Sequence, residues 1–323
     1  MDLKEIYKAR RRIRGWVRNT PIEYSPFLSD MCGGRLFLKL ENLQLTGSFK
    51  IRGAMNKLLH LSEDEKRRGI ITASSGNHAQ GVSYAARELG IVATIVVPRN
   101  TPEMKLEAIR RHGVELIIHG DEYIDAEKLA RKMELERGMT FVSAYNDLEV
   151  IAGQGTVAVE VMEEFPDLDT ILVPVGGGGL ISGVSIFLKG ASKSIEVLGV
   201  QSEASPVMHE SLRGGRIVDM KLGGSVAEGL HGGIEQGSIT FDFCRDLVDE
   251  IILVKEDTIM EAIWIMFAKQ RQVVEGAGAV GVAAVMEDPS KFIDKNTCVI
   301  ISGGNLDENL LRTVIKMTDR TSI

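Results

Sequence analysis

The sequence predicts an α/β protein built on mostly parallel, twisted sheets, and three observations carry that prediction. Short Val- and Ile-rich runs alternate with longer amphipathic stretches along the chain. Several of the short runs end directly in loops rich in Gly, Ser or Asn. Glycine is abundant, at 34 residues, while aromatic residues make up only 5%, as suits tight connections at strand ends. With 323 residues, 44% of them hydrophobic, the chain can bury a sizeable core, and its length suggests about two domains.

Residues 35–40 read as a strand and 48–61 as a helix, because Ile51, Ala54, Met55, Leu58 and Leu59 recur at helical spacing. A strand over 70–73 runs into a Ser/Gly loop, and a helix over 80–89 stops at Gly90, an ordinary C-terminal signal. Pro98 ends a strand over 91–97. A helix over 102–111 carries its proline at the start, where the missing N–H is harmless, and Gly113 lies beyond its end. A strand over 114–118 and a helix over 121–137 follow. The second half repeats the rhythm with helix 155–164, strand 170–175, helix 180–188, strand 197–201, helix 258–272, a small-residue helix over 278–286 and strand 297–301. No repeat, low-complexity tract or long polar linker divides the chain, so two domains would be interleaved and closely packed.

Charge and cysteine usage exclude several classes. A net charge of -7 and 26% charged residues give no global attraction for nucleic acid or anionic lipid. The one basic cluster, from Lys8 to Arg14, reads as a solvated helix face or as a partner or nucleotide site. Cys32, Cys244 and Cys298 are odd in number and widely spaced, which argues against a disulfide framework and a zinc site, and no metal is expected. The charged N-terminus predicts no signal peptide, no apolar run reaches membrane-spanning length, and a cytoplasmic setting is the default.

Ligands of such folds sit beyond the carboxyl ends of the strands, which selects the loops at 74–81, 176–180 and 302–305. Gly176, Gly177, Gly178 and Gly179 follow a strand and precede a helix opening at Leu180. Backbone free of side chains, at a helix start with unpaired N–H groups, suits a phosphate. A tight structural turn is the alternative. The spacing is not that of a Walker A loop, and a dinucleotide fingerprint through Gly177 and Gly179 fails at Ser182. Lys50, between Phe49 and Ile51 after a Gly-Ser turn, is either a surface lysine or a partly desolvated amine with a lowered pKa, able to attack a carbonyl. In the Ser74-Ser75-Gly76-Asn77-His78 loop the backbone and Asn77 offer donors to a carboxylate, whereas a lone His78 is more often structural. Ser302 either meets a ring nitrogen or caps a turn, and its segment alone leaves both open.

Taken together these segments resemble the fold-type-II pyridoxal-phosphate family, above all its threonine/serine dehydratases and serine racemases. The resemblance runs from Thr20-Pro21 through 41–54, 74–81, 151–156, 176–180, 274–278 and 302–305, nearly the whole chain. It implies the tryptophan synthase β-like architecture: two interleaved three-layer α/β/α domains, with 1–54 and 146–323 binding the cofactor and 55–145 forming a smaller, mobile, substrate-side domain. It also implies pyridoxal 5'-phosphate as cofactor, held by Lys50 as a Schiff base. Gly176, Gly177, Gly178, Gly179 and Leu180 would bind its phosphate, Asn77 its 3-hydroxyl and Ser302 its ring nitrogen. Glu275 would line the ring pocket and Gly229 would lie beside the cofactor. Ser74, Ser75, Asn77 and His78 would hold the substrate. The activity implied is that of a lyase, eliminating water and ammonia from L-threonine or L-serine to give 2-oxobutanoate or pyruvate. The freed Lys50 amine would take the Cα proton, and a neutral Ser302 would make the ring a milder electron sink that favours early loss of the β-substituent.

Racemisation is the main rival, with Ser75 protonating the face of Cα opposite Lys50. Two departures count against it. The racemases' divalent-cation site would fall near Glu203, where His209 stands in place of the second acidic ligand, and residues 121–127 lack the arginine expected near the substrate. Dehydration of another β-hydroxy amino acid such as 3-hydroxyaspartate is a further alternative. β-Replacement enzymes usually carry Thr where His78 stands, and a catalytically silent binding relative would not need Lys50, Asn77, the glycine loop and Ser302 together. The chain ends shortly after Ser302, so no regulatory C-terminal domain and no isoleucine feedback through one are expected. The family's members form homo-dimers or homo-tetramers.

Overall fold

In the computed structural model, which describes residues 1–318, the strands form two sheets. They are β1 (Ile22–Tyr24), β2 (Arg35–Leu40), β3 (Ile70–Ala73), β4 (Ala93–Val97), β5 (Glu115–Ile118), β6 (Thr140–Phe141), β7 (Thr170–Pro174), β8 (Glu196–Ser202), β9 (Glu250–Val254) and β10 (Asn296–Ile301). One sheet runs β1-β2-β10-β7-β8-β9 and the other β5-β4-β3-β6. Every pairing is parallel except that of β1 with β2 at one edge.

Parallel strands covered by helices on both faces must be apolar on both. Successive residues of β10 go to opposite sides: Cys298 and Ile300 join one core with Ile171, Val173 and Val197, while Val299 and Ile301 join another with Leu172, Leu198 and Val200. Helices Leu148–Glu164, Gly179–Ala191 and Ile239–Leu247 cover the first face, and Glu256–Ala268 and Gly276–Glu287 the second. The smaller sheet repeats the sandwich. Ile70, Ile95 and Val97 pack with residues of Lys50–His60 and Asn77–Leu89, and Ile71, Ala73 and Val96 with Ala126, Ala130 and Met133 of Tyr123–Arg137. This is the three-layer architecture expected from the sequence.

One element departs from expectation by two turns. The helix predicted over 155–164 begins at Leu148, because the Asp147 carboxylate caps it, accepting from the backbone N–H of Glu149 (2.8 Å) and Val150 (3.1 Å). Its glycines do not delay the start; they let other helices approach. A Cβ on Gly153 would lie 2.5 Å from the Arg52 carbonyl oxygen, and one on Gly155 2.7 Å from that of Gly183. Leu148–Glu164 therefore lies backbone-to-backbone against both Lys50–His60 and Gly179–Ala191. The helix predicted over 258–272 ends at Ala268, and those predicted from 80 and 278 begin at Asn77 and Gly276.

A buried ion network fastens the same junction. Arg52 donates to Glu41 (2.7 Å) and Glu160 (2.7 Å), and Lys39 donates to Glu160 (2.7 Å), with all four side chains fully buried. Two cations against two anions, with shared hydrogen bonds, is an arrangement the interior tolerates. The basic run near the N-terminus packs in part: Arg10 approaches Glu160 (3.6 Å) and Arg12 pairs with Glu149 (3.2 Å). No helix among the described residues is long and apolar enough to cross a membrane.

Candidate active site

A cavity of about 370 Å³ opens between the two sheets, at the carboxyl ends of β3, β7 and β10. The three loops selected from the sequence, far apart along the chain, converge on it.

Lys50 is the first residue of helix Lys50–His60, and its amine reaches the cavity, donating to the Ala144 carbonyl at 3.1 Å. Burial draws its pKa down from the ordinary lysine value to about 8, against the opposing charge of Glu275. At pH 7 about a tenth is free amine, a few hundred-fold above an ordinary lysine, as a nucleophile or base requires.

Gly176, Gly177, Gly178 and Gly179 line the same cavity, together with Leu180 at the start of helix Gly179–Ala191. Gly178 takes the left-handed conformation at φ 87°, and a Cβ on Gly177 would fall 2.5 Å from the Tyr145 ring. Glycine is thus required by the turn itself, and its result is a helix start whose first N–H groups face open space. The two readings of this loop, anion cradle and tight turn, are compatible.

Ser74, Ser75, Asn77 and His78 stand at or just before the beginning of Asn77–Leu89 and also line the cavity. The Asn77 amide donates to the Glu275 carboxylate at 2.6 Å. Burial raises the Glu275 pKa to about 7, with the Asn77 hydrogen bond the largest force opposing it. His78 donates through Nε2 to the Val142 carbonyl (2.9 Å), and burial pushes its pKa down to about 3. It is therefore a neutral, fixed ring near pH 7. Ser302 lines the cavity and is buried, its hydroxyl donating to the Ala277 carbonyl at 3.2 Å, and Gly229 faces Ala277 from the turn Glu228–Leu230. Away from the cavity, His209 pairs with Glu210 (3.1 Å). Among the described residues no group of three or more His, Cys, Asp or Glu gathers as a metal site would.

Other lining residues carried no local signal. Tyr145 packs against Gly177 with its ring and against Gly179 with its Cα and Cβ, and its hydroxyl accepts from the Glu235 backbone at 3.0 Å. Lys105, from helix Glu103–Arg110, meets Glu228 at 2.6 Å across the mouth. Asn305 lies in a loop singled out from the sequence, but its partners are distant along the chain.

Residues 13–303 match the family described as pyridoxal-phosphate dependent enzyme. The chain is 45% identical over 315 residues to the L-threonine ammonia-lyase of Thermotoga maritima, covering 98% of this chain and 78% of that one. Among solved structures it superimposes on a threonine deaminase from T.th. with a TM-score of 0.89 and 38% identity, over 95% of this chain and 99% of that one. It superimposes on maize serine racemase with a TM-score of 0.92 and 34% identity, over 100% and 99%.

Proposed function

The chain belongs to the pyridoxal-phosphate-dependent enzyme family, and from that premise we propose that it is an L-threonine ammonia-lyase, converting L-threonine to 2-oxobutanoate and ammonia and accepting L-serine as a second substrate. The observation that carries this reading is that one cavity holds both the Lys50 amine and the side-chain-free helix start at Gly176, Gly177, Gly178 and Gly179, in a chain so similar to enzymes of that name.

The residues present fit the cofactor. A 13-residue helix opening on glycine offers N–H groups to a phosphate. An amine lowered to about 8 is available to an aldehyde at neutral pH, and Ser302 supplies a neutral hydroxyl at the buried end. When bound, pyridoxal phosphate supplies a carbonyl for amines and an electron sink that acidifies the substrate's Cα–H. In this reading Lys50 would hold the aldehyde carbon, and its Nζ, as a free amine beside the substrate, would be the base for the Cα proton. Ser74, Ser75 and the N–H groups at the start of Asn77–Leu89 orient the substrate carboxylate. Asn77 would steady the 3-hydroxyl, Ser302 would offer an uncharged partner to the ring nitrogen, and Glu275 and Gly229 would line the ring pocket. His78 shapes the substrate side as a neutral ring. Residues 1–54 and 146–323 are read as the cofactor-side domain (the last five lying outside the described residues) and 55–145 as the substrate-side domain. The strands of the smaller sheet all fall in the latter segment. A homo-dimer or homo-tetramer and a cytoplasmic setting complete the reading, the latter supported by three buried, unpaired cysteines.

Serine racemisation is the second reading, favoured by Ser75 lining the same cavity as Lys50. A product assay on L-threonine and L-serine, following 2-oxo acid and D-enantiomer together, decides between them. Lyase activity is expected to dominate. Predominant D-serine would overturn the first reading. Lys50→Ala is expected to abolish both products and to leave no borohydride-fixed cofactor at residue 50; turnover retained by that variant would overturn both.

A further inference from the structure

Asn77, Glu275 and Asn305 come from three distant segments and form a hydrogen-bonded chain along one wall of the cavity. Its polarity has one origin. A backbone carbonyl can only accept, and the Asn305 Nδ2 donates to the Thr46 carbonyl at 2.9 Å. The same amide nitrogen has a second N–H, which it donates to the Asn77 Oδ1 at 2.7 Å. With its oxygen so engaged, Asn77 must turn its own NH₂ toward Glu275, at 2.6 Å. An asparagine amide by itself turns over readily, because its two ends have nearly the same shape.

The platform beneath Asn305 is rigid. Gly304 donates to the Gly47 carbonyl (2.9 Å) and Phe49 to that of Ser302 (3.1 Å). Gly47 has φ 71°, and a Cβ there would fall 2.6 Å from the Asn305 Oδ1. The 302–305 loop is thus laced to the segment that leads into Lys50.

We infer that Asn305 is a positioning residue: anchored on the Thr46 carbonyl, it fixes the amide orientation of Asn77, so that Asn77 presents N–H rather than C=O to Glu275 and to the occupant of the cavity. The inference rests on the reading of that cavity as a pyridoxal-phosphate site, and it adds to that reading a residue that does not itself need to touch the cofactor.

The test is a double-mutant cycle on the holoenzyme with Asn305→Asp, Asn77→Ala and their combination. The Asn305→Asp carboxylate can only accept, so Asn77 must turn its NH₂ toward it and its carbonyl toward Glu275. Three quantities are read: the visible spectrum of bound pyridoxal phosphate, the affinity for pyridoxal phosphate, and kcat on L-threonine. Asn305→Asp in the wild-type background is expected to shift the spectrum and to lower affinity and kcat by about tenfold. In the Asn77→Ala background it is expected to change none of them further. Asn305→Ala, which leaves Asn77 free to turn, is expected to give a smaller shift of the same kind. Asn305 is solvent-exposed, so these variants leave no buried hole; should Asn305→Asp fail to fold, Asn305→Ala takes its place in the cycle. Equal losses in both backgrounds, or an unchanged spectrum in both Asn305 variants, overturn the inference while leaving the site reading intact. A wild-type protein that binds no pyridoxal phosphate overturns both.

Discussion

Burial draws the Lys50 amine down to about 8 and the Glu275 carboxyl up to about 7, so two groups that ordinarily titrate far apart change charge close together. For Lys50 the consequence is kinetic. Capture of pyridoxal phosphate by the apoprotein needs the free amine, so its rate is expected to rise about tenfold per pH unit below 8 and to level above it. A rate in stopped-flow absorbance that keeps rising well above pH 8, toward the ordinary lysine value, would show that the amine is not lowered. For Glu275 the consequence is a stability. Below the ordinary carboxyl range folded and unfolded chains both carry the proton; between that range and about 7 only the folded chain keeps it. Its contribution is therefore full at low pH and is lost as pH rises through about 7. Urea midpoints of the apoprotein between roughly pH 4.5 and 7 are expected to fall relative to those of Glu275→Gln; parallel curves would contradict the raised carboxyl. Lys50, Asn77 and Ser302 were legible in the sequence because each sits at a strand–helix junction inside a longer motif. The partnership of Asn77 with Asn305 was not, because 228 residues separate them and nothing local marks one amide as the orienter of another.

At the level of elements, periodicity found the principal strands and helices and misjudged ends wherever a cap or a glycine overrode it. Asp147 starts a helix seven residues earlier than the apolar pattern suggested. The glycines at 153, 155 and 183 look like helix breakers but are contact points, since their missing side chains make room for neighbouring backbones. β1 and β6 span only three and two residues, too few for an alternation to register. The close crossing carries its own prediction. A Cβ on Gly183 would stand 2.3 Å from the Ile151 carbonyl oxygen, so Gly183→Ala is expected to destabilise the protein by about 1–3 kcal/mol despite the better helix propensity of alanine. Denaturant unfolding checks this, and a neutral or stabilising result would mean that the helices separate easily.

Over the whole molecule, the two sheets meet at the cavity, and an ion pair among its lining residues joins Lys105 of helix Glu103–Arg110 to Glu228. Partly exposed pairs of this kind are worth about 0.2–1 kcal/mol and weaken with salt. Lys105→Glu is expected to raise the KM for threonine by no more than about fivefold, and Glu228→Lys in the same chain to restore it. Steady-state kinetics at low and high ionic strength test this; a loss confined to kcat, or failure of the reversed pair, would argue against a bridging role. The alternation of strand and helix foretold parallel sheets with helices on both faces, and the family resemblance foretold their division into two three-layer units. The alternation could not foretell which loops would face each other across the gap, because that depends on how the sheets are set together rather than on any one segment.

The backbone contacts of helix Leu148–Glu164 bear on how such a protein can change. It lies against the helix that begins with Lys50 and the helix that begins at the glycine loop, so the span between those two anchors is gauged by main chain. If those two helix starts hold the coenzyme as proposed, exchanging other lining side chains such as His78 or Tyr123 is expected to admit a different amino acid without loosening that hold. A saturation library at those positions would explore new specificities on a frame that keeps its calibration.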